Sequence, residues 1–128
     1  MKNFIVGVPD KLLTKWLEGK DYMCATDEGE AVGLACGYYI ATKKIPLVFM
    51  SADGFCNALN PLTSYVIPEG IPMFVVISFG RQEPQHKVMS DSLKKIIKSL
   101  KYDPKKLHFL FIEKEPQRNR GWLSWFNK

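Results

Sequence analysis

The chain has 128 residues, 46% of them hydrophobic, and a formal net charge of +5. One hydrophobic core suits roughly 100–200 residues, so a single domain over 1–128 is expected, with about 113–128 forming a basic aromatic tail. The composition excludes intrinsic disorder, no apolar run approaches the ~20 residues of a membrane helix, and the apolar stretch from Met1 to Gly7 is too short for a signal peptide; a soluble, cytoplasmic protein is the expectation.

Phe4, Ile5 and Val6 open the chain as a short strand. Asp10 then supplies an N-cap for a helix over 11–18, on which Leu12, Leu13, Trp16 and Leu17 share one face and which Gly19 ends. Residues 22–26 read as a strand, and 28–43 as a helix closed by Lys43 and Lys44 at its negative end. A strand over 47–50 follows, entered through Pro46, and then a helical stretch over 55–65 that Pro61 should interrupt. Residues 74–77 form a third buried strand. Ser90 or Asp91 is placed to cap a helix reaching Leu100, with Leu93, Ile96, Ile97 and Leu100 inward and Lys94, Lys95 and Lys98 outward. A last strand covers 108–112, and the tail, with Trp122, Trp125 and Phe126, reads as a short helix or a docking segment.

Strands without polar alternation, separated by helices, imply a three-layer α/β/α domain with a mainly parallel central sheet. Ligands of such sheets bind beyond the carboxyl ends of the strands. That rule selects the loops at 26–30, 51–57 and 78–86, which also carry the residues with most chemical potential.

Charge is unevenly placed: residues 1–80 hold six Lys/Arg against eight Asp/Glu, and 81–128 hold twelve against five. The basic residues are spread over a helix, a loop and a tail without a dense cluster. A solvated helix face and a partner-facing tail account for them, and a nucleic-acid partner is not expected. Cys24, Cys36 and Cys56 lack metal-ligand spacing, and an odd number closes no disulfide framework, so no metal site is expected within the chain. Cys24 and Cys36 read as small core residues, and Cys56 falls in a candidate site loop.

Glu28 stands at the start of the 28–43 helix, directly after a strand. As a first-turn acid it is favoured by the helix dipole alone, with Asp27 or Thr26 as the cap, so position leaves a structural and a functional role equally open. The helix itself is unusual. It has almost no polar face, which predicts burial on most sides. Gly29, Gly33 and Gly37 form a bare stripe, each glycine costing about 1 kcal/mol against Ala. The stripe serves either close packing on the chain's own sheet or a subunit interface.

Five segments occur in a telling order: Gly7-Val8-Pro9-Asp10-x-Leu12-Leu13, Glu28-Gly29, Ala35-x-Gly37-Tyr38-Tyr39, Asn60-Pro61-Leu62-Thr63-Ser64 and Glu83-Pro84-Gln85-His86. Together they resemble the pyrimidine-binding domain of thiamine diphosphate-dependent decarboxylases, in the phosphonopyruvate and sulfopyruvate decarboxylase group, over about residues 4–100. The resemblance implies the thiamine diphosphate-binding fold of pyrimidine type. It implies that Glu28 bonds the cofactor's pyrimidine nitrogen and so promotes loss of the thiazolium proton, after which a 2-oxo acid is attacked and carbon dioxide leaves. Asp27, Gly54, Phe55, Asn57 and Asn60 would lie beside the cofactor, with Thr63 a lesser candidate. His86 is implied as an acid–base residue, with Gln85 and Arg81 near an anionic 2-oxo acid.

The sequence departs from that pattern at several places. The stretch between the 74–77 strand and Glu83 is short. Ser51-Ala52-Asp53 stands where amide and small polar residues are usual, Cys56 stands for a Gly and Asp27 for an Asn. Nothing in the chain matches the motif that holds the diphosphate through Mg2+. The resemblance therefore implies a second subunit carrying that domain and the metal, in an α2β2 or higher heteromer. A non-catalytic regulatory or vestigial binding module keeps the fold without the chemistry. A small nucleotide- or nucleic-acid-binding α/β protein is the reading from a different class.

Overall fold

A computed structural model describes residues 3–113. The predicted tail beyond 113, with Trp122, Trp125 and Phe126, lies outside the described residues. Among these, five parallel strands run in the order β2-β1-β3-β4-β5: β1 (Ile5–Gly7), β2 (Met23–Cys24), β3 (Leu47–Ser51), β4 (Met73–Phe79) and β5 (Leu107–Glu113). The α/β architecture with a parallel central sheet is as expected.

Right-handed crossovers decide which face each helix covers. The steps from β2 to β3, β3 to β4 and β4 to β5 all move the same way across the sheet. Their helices, α2 (Glu28–Thr42), α3 (Phe55–Pro61) and α5 (Pro84–Ser99), therefore share one face. The step from β1 to β2 moves the opposite way, so a 3-10 turn (Lys11–Leu13) and α1 (Thr14–Leu17) cover the other. The strands alternate accordingly. Val6, Val48, Met50, Val75 and Ile77 pack under α2, α3 and α5, while Ile5, Leu47, Phe49 and Val76 meet Leu13, Trp16 and Leu17. Each such side chain, buried on a sheet covered on both faces, contributes about 1.5–3 kcal/mol.

Several expected boundaries move. The 11–18 helix is split between the 3-10 turn, which Asp10 caps by accepting from Leu12 N–H, and the four-residue α1. The 22–26 strand shrinks to Met23–Cys24, because β2 is an edge that pairs only β1. Cys24 is consequently exposed rather than part of the core. Pro61 interrupts the regular α-helix, as expected, without turning the chain off its helical path. It ends α3, and the chain continues through a π turn (Leu62–Val66) into α4 (Ile67–Glu69). Pro61 removes one backbone donor, and the wide turn with bonds from Thr63 Oγ1 to the Leu59 carbonyl and Ser64 Oγ to the Asn60 carbonyl reorganises the acceptors. Neither Ser90 nor Asp91 caps a helix, since α5 already begins at Pro84, where proline's missing N–H is not needed. Leu93 and Ile97 are buried and Lys94, Lys95 and Lys98 exposed, as their spacing requires.

The expectation for α2 is corrected as well. Ala31, Val32, Ala35 and Cys36 are buried, but Gly33, Leu34, Gly37, Ile40 and Ala41 are exposed. A Cβ at Gly33 or Gly37 would meet nothing within 4 Å. The sheet covers one side of this helix and Gly33 and Gly37 lie on the other, so packing on the chain's own sheet does not explain these two; Gly29 lies against Asn57 instead. No helix among the described residues is long and apolar enough to cross a membrane.

Candidate functional site

Parallel strands bring their carboxyl ends to one edge, and the strand order reverses between β1 and β3, where open α/β sheets place ligands. The loops at 8–10, 25–27, 52–54 and 80–83 meet at that edge. At the second of them Asp27 is the N-cap of α2, its Oδ1 accepting from Glu30 N–H at 2.8 Å. Glu30 Oε1 accepts in return from Thr26 N–H at 2.8 Å. This reciprocal cap occupies the two acids flanking Glu28 and fixes the helix start.

Glu28 turns inward instead and is only 7% exposed, one of two buried polar side chains among the described residues. Its Oε1 accepts from Asn57 Nδ2 at 3.0 Å, across from the first turn of α3. Its other oxygen lies against Gly54. A Cβ on Gly54 would fall 2.7 Å from Glu28 Cγ, and nearer still to the carboxyl group. Gly54 has ordinary right-handed helical angles, φ −67 and ψ −21, so its lack of a side chain answers to space and not to backbone strain. Gly29 serves the same contact from the α2 side, where a Cβ would come within 3.2 Å of the Asn57 carbonyl. The loop is braced by Gly54 N–H to Ser51 Oγ at 3.2 Å and Asn57 N–H to the Gly54 carbonyl at 2.9 Å. A buried carboxyl group is thus held in the first turn of α2.

Next to Gly54, the Asp53 carboxylate Oδ2 contacts His86 Nδ1. His86 occupies the first turn of α5, its N–H bonded to the Glu83 carbonyl at 2.8 Å. Cys56 and Met89 face each other beside this pair, Sγ to Sδ at 3.6 Å.

A third group lies across β1 and β4. Asp10 Oδ2 accepts from the buried Ser78 Oγ at 2.8 Å, and its Oδ1 pairs with Arg81 Nη1 at 3.2 Å. Arg81 also reaches Glu83, Nη2 to Oε1 at 3.0 Å and Nε to Oε2 at 3.4 Å. The Arg81 hydrogen bond leads the causes that lower the Glu83 carboxyl to about 2. Glu83 raises the Arg81 guanidinium in turn, through their side-chain hydrogen bond first. Two carboxylates therefore hold the arginine, and an incoming anion would share its remaining N–H groups.

The structure brings Glu28, Gly54 and Asn57 into direct contact and sets His86 one residue away, through Asp53. Asp27 is engaged in capping. Phe55 is fully buried and packs edge-to-face on Phe109, ring centroids 6.1 Å apart, so its side chain belongs to the core. Asn60 and Gln85 are exposed, on α3 and at the second residue of α5. Sequence reasoning did not assign Asp53 or Asp10 a place here. The signal for Asp53 was its departure from the small polar residues usual at that loop. A groove of about 380 Å³ between α5 and β5, lined by Tyr102, Phe109 and Phe111, contains none of these groups.

No family model matches the chain. It is 32% identical over 96 residues to a phosphonopyruvate decarboxylase of Streptomyces viridochromogenes, and likewise to one of Streptomyces hygroscopicus, over 66% of this chain and 24% of each relative. The chain thus spans about a quarter of the length of these relatives. A solved structure assigned as a thiamin diphosphate-dependent enzyme from Mycobacterium smegmatis matches with a TM-score of 0.54 and 25% identity, over 67% of this chain and 17% of that one. Sequence and structure together support a relationship to the thiamine diphosphate-dependent family.

Proposed function

We propose that this chain is the pyrimidine-binding subunit of a heteromeric thiamine diphosphate-dependent 2-oxo acid decarboxylase, acting on a phosphonopyruvate- or sulfopyruvate-like substrate. The observation that carries this reading is the buried Glu28 carboxylate, fixed by Asn57 and lying against a glycine. The missing Gly54 side chain gives its space to the Glu28 carboxyl group itself, and a buried carboxyl group fixed at the edge of the sheet suits a ring nitrogen. Thiamine diphosphate, when bound, supplies the carbon nucleophile and takes up the electrons released as carbon dioxide departs.

The chain's own part is proton control and orientation. Asn57 occupies Oε1 and fixes the carboxyl plane, which leaves Oε2 to hold a proton toward the ring nitrogen. The exposed Gly33, Leu34, Gly37, Ile40 and Ala41 make an apolar, nearly flat helix face on the element that carries Glu28. A second subunit with the diphosphate-binding domain and its Mg2+, seated on that face, would complete an α2β2 or higher assembly. Similarity to phosphonopyruvate decarboxylases supports the substrate class, and Arg81 and Gln85 are the residues assigned to its anionic end.

The test is co-expression with a chain bearing the diphosphate-binding domain, followed by calorimetry with thiamine diphosphate and carbon dioxide release from both substrates. Saturable cofactor binding and turnover that Glu28→Gln removes are expected. Full turnover by Glu28→Gln refutes the assigned role, and a complex that binds no cofactor supports a non-catalytic module.

A further inference from the structure

We propose that Asp53 is a positioning residue that holds His86 as its Nδ1–H tautomer, leaving Nε2 as the proton-exchanging atom at the carboxyl edge of the sheet. The tautomer assignment is independent of the decarboxylase reading; only its consequence for turnover rests on it.

Asp53 comes from the loop after β3 and His86 from the first turn of α5, 33 residues apart, and the Asp53 carboxylate meets the ring at Nδ1. A carboxylate can only accept, so the shared proton is on Nδ1. An imidazole left to itself is not so constrained, and the ring nitrogen that carries the proton is set by the partner of the other one. Both backbones are fixed. His86 N–H bonds the Glu83 carbonyl at 2.8 Å, and Asp53 lies between Ala52, whose N–H bonds the Ser78 carbonyl at 2.8 Å, and Gly54, bonded to Ser51.

The side chains are 26% exposed for His86 and 35% for Asp53, sheltered enough to keep one geometry and open enough for Nε2 to be reached. Glu83 also lies within electrostatic reach of the ring, but its oxygens are engaged by Arg81. Asp53 is thus the carboxylate in contact with Nδ1. When Nε2 takes a proton, the imidazolium charge faces Asp53; when it gives the proton up, the neutral Nδ1–H ring returns. Since Asp53 immediately precedes Gly54, one loop carries both the partner of His86 and the contact surface of Glu28.

A simple strap between the β3 loop and α5 would use the same contact and hold the same tautomer, so spectroscopy reads the tautomer and turnover separates the two roles. The chain has two histidines, His86 and His108, so long-range 15N–1H spectra of the full chain are assigned with His86→Gln. Above the titration range, His86 in the wild type is expected to show a protonated Nδ1 and an unprotonated Nε2. Asp53→Ala should shift the majority to Nε2–H, whereas Asp53→Asn, whose side-chain oxygen still accepts, should keep Nδ1–H. A wild-type ring protonated at Nε2, or an Asp53→Ala ring unchanged from wild type, overturns the proposal. In the reconstituted enzyme Asp53→Ala should lower kcat about 10- to 100-fold at unchanged thiamine diphosphate affinity, with partial recovery in Asp53→Asn. A complex without cofactor binding would remove the decarboxylase reading and leave the tautomer result standing.

Discussion

Gly54→Ala isolates the contact on which the candidate site depends. The angles at Gly54 accommodate alanine, and the loss of glycine's unfolded-state freedom would by itself stabilise the chain by about 0.4–1 kcal/mol. Against this, the new Cβ would lie 2.7 Å from Glu28 Cγ and closer to its carboxyl group, where ordinary contact begins near 3.4 Å. The side chain must retreat by about 1 Å, an overpacking that costs about 1–3 kcal/mol. The same retreat stretches the 3.0 Å bond from Asn57, a charged hydrogen bond worth about 1.5–3 kcal/mol. The clash outweighs the entropic gain, and a net loss of about 2–4 kcal/mol follows. In a Glu28→Ala background the obstacle is gone and only the gain remains. A double-mutant cycle read from urea midpoints at constant m-value should give a coupling of about 2 kcal/mol or more. Equal cost of Gly54→Ala in both backgrounds would refute the placement of the Glu28 carboxylate against this glycine.

Gly7→Ala makes a Cβ that meets the Phe49 ring at 2.7 Å and the Phe49 carbonyl closer still, at the pairing of β1 with β3. Backbone cannot yield there, so loss of more than about 3 kcal/mol and a broken thermal transition are expected in calorimetry. Thiol titration should find Cys24 and Cys56 reactive in the native chain and Cys36 reactive only after unfolding, because burial both covers that thiol and pushes its pKa up; rapid reaction of all three would contradict this. Glu83 is held at about 2 by Arg81, below the ordinary 4.5. Its paired, ionised form therefore stabilises the fold above about pH 4.5 and loses that contribution as pH falls through about 2. The stability difference between wild type and Glu83→Gln should be constant above that window and vanish below it; a difference that grows with acid would be the wrong sign.

The local features were legible in the sequence because their causes are local. Runs such as Leu47 to Met50 and Phe74 to Ile77 marked buried parallel strands, and Asp27 before Glu28 and Glu30 marked a capped helix start. Even there, neighbours beyond the sequence window moved the boundaries. An edge position shortened β2, Pro84 began α5 six residues before Ser90, and a π turn carried the chain past Pro61. The site was legible only in part. A sequence resemblance singled out Glu28, Asn57, Gly54 and His86, while composition alone left Glu28 as an ordinary first-turn acid. Right-handed crossovers put α2 beside α3 and α5 beside the β3 loop, and that placement brings together partners 29 and 33 residues apart. Propensity and hydrophobic period act over a turn or two of chain. They determine which elements form, whereas the packing of those elements decides that Gly54 must be bare, that Asp53 faces a histidine, and that Gly33 and Gly37 on α2 remain uncovered.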